Sequence, residues 1–269
     1  MKKEIKGLFL VFTVAVLAGC ESSLSREFET GMSQSGKGQY RLAISSFEKV
    51  IARSPESEIG LKSAREAARL SFFELKDFKK AATFYNILVY NSPDADERLK
   101  AQKQVTSVYL DHLNNYRLAI VEINKVLPLI QDPSERMKYK MELAQAYYYQ
   151  NNFFQAEMEV DEFLRISKNE DQIFQMTVLK ANIALARKDL NRAAEILKDM
   201  IKRNPNKAMK ENVGLTLAVA YEEMHDYKNA IATLQDLRLK HPMPDYIDIR
   251  IKRLQDRLKN QPGARGMKK

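Results

Sequence analysis

Apolar and small residues return along this chain at a fixed interval. An aromatic residue or leucine, an alanine three residues later and a bulky apolar residue four further on occur together six times. The copies are Tyr40-Ala43-Phe47, Phe78-Ala81-Tyr85, Tyr116-Ala119-Ile123, Phe153-Ala156-Val160, Leu190-Ala193-Leu197 and Tyr227-Ala230-Leu234. The alanines follow one another after 38, 38, 37, 37 and 37 residues. Positions i, i+3 and i+7 share one face of a helix, so each copy predicts a helix with one apolar stripe. Polar pairs stand just ahead of five copies: Lys76-Asp77, Asn114-Asn115, Asn151-Asn152, Lys188-Asp189 and His225-Asp226. Four copies carry a proline twelve residues after the alanine, at Pro55, Pro93, Pro205 and Pro242, where the missing amide proton ends a helix. Pro128 is expected to kink or shorten the corresponding helix of the third copy.

A second helical segment precedes the motif. It is plainest at Leu143-Ala144-x-x-Tyr147 and Leu217-Ala218-x-x-Tyr221. Gly31 and Ala181 hold the same small-residue place, whereas a constant spacing puts Arg69 and Ser107 there in the second and third copies. The unit is therefore a helical hairpin whose alanine lets two backbones approach closely. With a small residue, an aromatic, an alanine and a proline in this order, residues 25–242 resemble the tetratricopeptide repeat family, whose usual period is about 34 residues. The resemblance implies an all-α, right-handed solenoid of about six hairpins, each burying its apolar face on its neighbours. Ile247, Ile251, Leu254 and Leu258 predict a closing helix, with Arg250, Lys252, Arg253 and Arg257 facing out. The expected organisation is a solenoid over 26–244, a capping helix over 245–260 and a disordered basic tail over 261–269.

In that family partners usually lie along the first helix of each pair. Carrying its fifth, ninth and twelfth places onto this chain gives Glu66, Leu70 and Phe73; Gln104, Val108 and Asp111; Met141, Gln145 and Tyr148; Val178, Asn182 and Leu185; and Leu215, Val219 and Glu222. The resemblance implies a groove for an extended peptide or a helix, with Gln145 and Asn182 able to pair with its backbone. Phe73, Asp111, Met141, Gln145, Tyr148, Asn182, Leu185 and Glu222 are the leading candidates. Tyr148 and Phe154 belong to the aromatic run 147–154. Tyrosine is enriched in binding hot spots, and for Tyr148 both a partner and a neighbouring helix remain open.

The amino terminus changes the picture. Lys2, Lys3 and Lys6 precede an apolar run from Leu8 to Leu17, then Ala18, Gly19 and Cys20, the one cysteine in 269 residues. A charged start, a short apolar stretch and small residues describe an export signal over 1–19 rather than a membrane span. Leu-Ala-Gly-Cys resembles the lipobox of bacterial lipoproteins. That resemblance implies a diacylglycerol on the Cys20 sulfur, an acyl chain such as palmitate on its nitrogen, and a polar lipidated tether over 20–25. Several chains anchor stably where one does not. By resemblance to the Gram-negative sorting pattern, Glu21 implies the outer membrane, with the chain facing the periplasm.

Composition then sets limits. The net charge is +9, of which Lys2, Lys3, Lys6 and Glu4 supply +2, leaving +7 beyond residue 19. An exported chain has no routine access to nucleic acid, so this charge implies acidic partners, anionic surfaces or simple solvation. Nine glycines, none grouped, give no phosphate loop, and three scattered histidines give no zinc spacing. Glu222, Glu223, His225 and Asp226 cluster in one turn, where capping a helix accounts for them. We therefore expect no catalysis, metal or cofactor beyond the lipid on Cys20. The expected function is a scaffold that gathers envelope proteins, similar in architecture to BamD-type barrel-assembly and pilotin-type lipoproteins. The alternative expectation is a cell-wall adaptor or a regulator of a wall enzyme.

Overall fold

The computed structural model describes residues 23–239 and 241–261. The expected signal, Cys20, and residues 262–269 of the expected tail lie outside the described residues. Within the described residues all regular structure is helical. The chain divides after Gln131 into two compact units.

Unit 1 holds three hairpins. They are α1 (23–36) with α2 (Tyr40–Arg53), α3 (Glu58–Arg69) with α4 (Phe78–Asn91), and α5 (Ala95–Ser107) with α6 (Tyr116–Val126). Ser23, Leu24 and Ser25, assigned above to the tether, already belong to α1, and Leu24 is buried. At Pro128 the helix is shortened: α6 stops at Val126 and a 3-10 turn covers Leu127–Leu129. Unit 2 holds α7 (Pro133–Tyr149) with α8 (Phe153–Ile166), α9 (Glu170–Ala186) with α10 (Leu190–Arg203), and α11 (Pro205–Lys210) and α12 (Val213–Glu223) with α13 (Tyr227–Arg238). It closes with α14 (Pro244–Lys259). The sixth first-helix is broken by Asn212, which sits in the left-handed region at φ 56°.

The polar pairs ahead of each motif have a double task. Gly38, Lys76, Asn114, Asn151, Lys188 and His225 all take φ between 48° and 72°, each five residues before its repeat alanine. This left-handed residue reverses the chain. The residue after it caps the next helix: the side chains of Asp77, Asn115, Asn152, Asp189 and Asp226 accept from the backbone amides of Lys80, Leu118, Gln155, Arg192 and Asn229. Such caps stabilise a helix by roughly 1 kcal/mol each. Gln39 makes no such bond, so the first hairpin relies on Gly38.

All six repeat alanines are fully buried. In unit 2 each opposes another fully buried alanine twelve residues earlier, Ala144, Ala181 or Ala218. In the first hairpin the partner is Gly31, where an added Cβ would lie 2.6 Å from the Phe47 ring. The small residues let the helices close, and the flanking Phe47, Phe163, Leu197 and Leu234, none exposed, fill the space between. Each such side chain contributes about 1.5–3 kcal/mol of apolar burial.

The longer spacing in unit 1 has a local cause. α3 runs on into a π-helical turn over Leu70–Glu74, and α5 into another over Val108–His112. The amides of Leu75 and Leu113 donate to the carbonyls of Leu70 and Val108, five residues back. Those of Asp77 and Asn115 reach six back, to Ser71 and Tyr109. At the matching places of unit 2, Gln150, Arg187 and Met224 reach four back and Asn152, Asp189 and Asp226 reach five. One extra residue is therefore housed in a widened final turn, which is where single-turn π segments arise. Ahead of it the register moves by one. Ala68 and Thr106 are buried, whereas Arg69 is exposed and Ser107 partly so.

Candidate partner-binding surface

The first helices of unit 2 present one continuous kind of chemistry. Met141, Gln145 and Tyr148 on α7, Val178, Asn182 and Leu185 on α9, and Leu215, Val219 and Glu222 on α12 all keep some solvent exposure. Their neighbours Ala144, Ala146, Ala181, Ile183, Ala218 and Ala220 are buried. The carried-over places thus lie on the open side of each helix. Met141 and Tyr148 lean on the α7–α9 core, Val178 and Leu185 on the α9–α12 core, and Leu215 on the core beneath α14. Among the described residues the side-chain amides of Gln145 and Asn182 make no hydrogen bond, so their donors and acceptors face solvent. Apolar ledges separated by free amides suit a chain that brings its own unpaired backbone.

Tyr148 is more packed than open. Its ring meets Tyr149 at 5.4 Å and Phe153 at 5.8 Å between centroids, and burial raises its hydroxyl pKa above the usual value, with the Tyr149 hydroxyl adding to the shift. Gln145, one turn earlier, is exposed and better placed to touch a partner. Phe154 stands 63% exposed on α8, with Met158 also open one turn later on the same face.

In unit 1 the widened turns displace the carry-over. Leu70 and Val108, read as groove residues, are fully buried, because the extra residue lies after them and puts Arg69 and Ser107 on the open side. Phe73 and Asp111 fall inside the widened turns themselves. Phe73 is exposed and packs edge-on against Phe72 at 4.8 Å, and the Asp111 carboxylate accepts from the Ser107 hydroxyl at 2.8 Å. Phe72, Phe78 and His112 stack at this end of unit 1, the last two rings 4.2 Å apart. The repeat pattern singled out Phe78 as a packing position but gave no sign that Phe72 and His112 would meet it.

Glu222 corrects an expectation on both sides. Its carboxylate is held by Arg250 at 3.3 Å, Arg253 at 3.3 Å and Arg257 at 2.7 Å, so these arginines of α14 turn toward α12 instead of facing out. The neighbouring ligand types are engaged separately. Glu223 pairs with Lys188, Asp226 caps α13, and His225 Nδ1 lies 3.1 Å from the Tyr227 hydroxyl. Among the described residues no group of three His, Cys, Asp or Glu side chains could hold a metal ion, and no helix is long and apolar enough to cross a membrane. A cavity of about 280 Å³ walled by Ile201, Pro205, Met209, Leu217 and Leu237 lies where α11 departs from α12. The break at Asn212 left no mark in the apolar pattern.

Two matches with tetratricopeptide repeat families cover residues 27–57 and 184–258. No curated protein matches the sequence. Among solved structures, a tetratricopeptide repeat protein from Parabacteroides merdae aligns over 87% of this chain and 88% of its own, at 15% identity and a TM-score of 0.51. The C-terminal part of a repeat-containing protein from Cytophaga hutchinsonii aligns over 94% and 96%, at 19% identity and 0.53. A chain of the Naa15/Naa10 assembly bound to HypK-THB aligns over 87% of this chain and 39% of its own, at 14% identity and 0.58. At these identities the likeness is one of fold. Residues 27–57 and 184–258 match tetratricopeptide repeats, and each unit is built of all-α helical hairpins.

Proposed function

We propose that the protein is a non-catalytic scaffold, tethered through lipid on Cys20 to the periplasmic face of the outer membrane, that gathers envelope proteins during assembly of an envelope complex. The single observation that carries the binding half is the open side of α7, α9 and α12. There Gln145 and Asn182 hold unpaired amides between partly exposed Met141, Val178, Leu185 and Val219. The anchoring half rests on Leu17-Ala18-Gly19-Cys20 behind a basic, then apolar, amino terminus.

The test is photocrosslinking in the native cell from a reactive residue at position 145, with membrane fractionation in parallel. The proposal predicts one dominant protein adduct, and release of the Cys20→Ser protein from the membrane fraction. A protein that stays membrane-bound without Cys20 would refute the anchor. An intact, correctly located protein that yields no protein adduct from position 145 would refute the surface.

A further inference from the structure

The apolar cavity of unit 2 is walled partly by small residues. Ala208 of α11 and Gly214 of α12 line it beside Ile201, Met209, Leu217 and Leu237. A Cβ built on Gly214 would meet nothing closer than Leu237 Cδ1 at 3.5 Å, so the glycine leaves space that a side chain could occupy. The cavity measures about 280 Å³. An apolar cavity of roughly 150 Å³ stays dry and takes up benzene, so this one has room for about eleven carbons. Its wall is mostly apolar, and water finds few partners along it.

The polar side chains that line it are Lys198 on α10 and Thr233 and Asp236 on α13. Lys198 and Asp236 are exposed, and neither side chain makes an ion pair or hydrogen bond to any described residue. Other charges of unit 2 are matched, Lys180 with Asp161, Lys188 with Glu223 and Arg238 with Asp248. The Thr233 hydroxyl donates to the Asn229 carbonyl at 2.8 Å, which leaves its oxygen able to accept. One helix therefore offers the mouth a cation, and the other offers two acceptors, one of them charged. A ligand head with a single charge would satisfy one side and oppose the other. A head carrying both signs satisfies both.

We infer that this cavity binds one apolar chain bearing a zwitterionic head, the chemistry of a single-chain phosphoethanolamine lipid. The chain fills the space among α10, α11, α12 and α13. The phosphate accepts from Lys198 Nζ, and the ammonium donates to the Asp236 carboxylate and the Thr233 oxygen. The chain supplies most of the affinity through apolar burial, while the charges at the exposed mouth contribute little and mainly choose the head. The inference goes beyond the scaffold reading and does not need it, because Gln145, Asn182, Leu185 and Val219 are not among the residues that line the cavity. A ligand held by the folded protein alone also stabilises it.

The test is calorimetric titration of the full-length protein with lysophosphatidylethanolamines of six to fourteen chain carbons, kept below their micelle concentrations. Affinity should rise about fourfold per added methylene and level off near the about eleven carbons that the cavity holds. Decanoate and decylamine, which carry one charge each, should bind more weakly than the ten-carbon zwitterion. Lys198→Gln and Asp236→Asn change exposed side chains, so both variants should fold, and each should weaken the zwitterion by up to about fivefold. In methyl resonances of the wild-type protein, Ile201, Leu217 and Leu237 should move on titration while Val178 and Leu185 stay still. No saturable binding at any chain length would overturn the site, as would affinity that keeps rising through fourteen carbons. Decanoate or decylamine binding as tightly as the zwitterion, or unchanged affinity in the protein with both substitutions, would overturn the assignment of the head. Movement of Val178 and Leu185 with Leu217 and Leu237 unmoved would put the ligand on the open side of the first helices and overturn the cavity as its place.

Discussion

Unit 1 and unit 2 solve one packing problem with different chain lengths. In unit 2 a hairpin closes with amides reaching four and then five residues back, and its alanines face alanines. In the second and third hairpins of unit 1 the same closure spans one residue more, and the surplus is stored in the last turn of the first helix. The second helix, its left-handed lead-in residue and its cap are alike in these two hairpins and in unit 2. An insertion at the end of a first helix leaves the alanine contact intact. What it changes is which side chains the first helix shows to solvent.

The comparison can be broken in several ways. The largest effect is expected from shortening the two turns. Deletion of Tyr149, at the end of regular α7, removes a residue that the 37-residue hairpin cannot spare and should abolish the cooperative unfolding of unit 2. Deletion of Phe73, an exposed residue of the widened turn, converts that turn to an ordinary one and should leave a folded unit 1; circular dichroism melts of both proteins check this.

Next in size is Gly60→Ala, at the close approach of α3 to the end of α2. Its new Cβ would lie 1.9 Å from the Ser54 carbonyl oxygen, a backbone atom that cannot swing away. We expect a loss of about 3 kcal/mol or more in urea titration. Ala156→Leu and Ala193→Leu overfill fully buried contacts in unit 2 and should cost roughly 1–3 kcal/mol each. Unchanged melting temperatures would mean those alanines are not the contact points.

Ser71 lies in the widened turn, and its buried hydroxyl has no hydrogen-bond partner. Ser71→Ala should stabilise unit 1 by up to about 1 kcal/mol, since a desolvated, unpaired hydroxyl is lost. The smallest effects are electrostatic. In unit 1 the Glu97 carboxyl is held below the ordinary range, first by its bond from Arg65 and then by one from the Ser92 hydroxyl. Its lowered folded pKa makes its contribution present above the unfolded pKa and lost as pH falls through the folded one. The pair is partly exposed, and such pairs contribute about 0–1 kcal/mol. Glu97→Gln should therefore flatten the acid side of the stability curve slightly. In unit 2 burial raises the Glu159 carboxyl instead, so Glu159→Gln should stabilise slightly at neutral pH, the opposite sign.

Much of this architecture is written in the order of residues. The alanines, the apolar partners three back and four on, and the polar pairs ahead of them place every hairpin, because a 3.6-residue period and a capping side chain are local properties. The spacing of 38 rather than 37 was also legible. Where the extra residue goes was not, since that depends on which carbonyl each amide finds in the last turn, and Leu70 and Val108 were misplaced on the open side as a result. In unit 2, without such turns, the same carry-over put Gln145, Asn182 and Val219 at places that prove open. Glu222 shows another limit. Its occupation by Arg250, Arg253 and Arg257 follows from how α14 folds back on α12, a contact 28 to 35 residues away along the chain.

The register claim is open to one direct measurement, made convenient by a chain whose single cysteine is Cys20. In a Cys20→Ser background, single cysteines at positions 69, 70, 145 and 146 are labelled with a thiol reagent under native conditions. Arg69→Cys and Gln145→Cys should label rapidly, and Leu70→Cys and Ala146→Cys should be protected. Rapid labelling at position 70 with protection at 69 would mean that unit 1 keeps the constant spacing of unit 2, and the widened turn would then not exist.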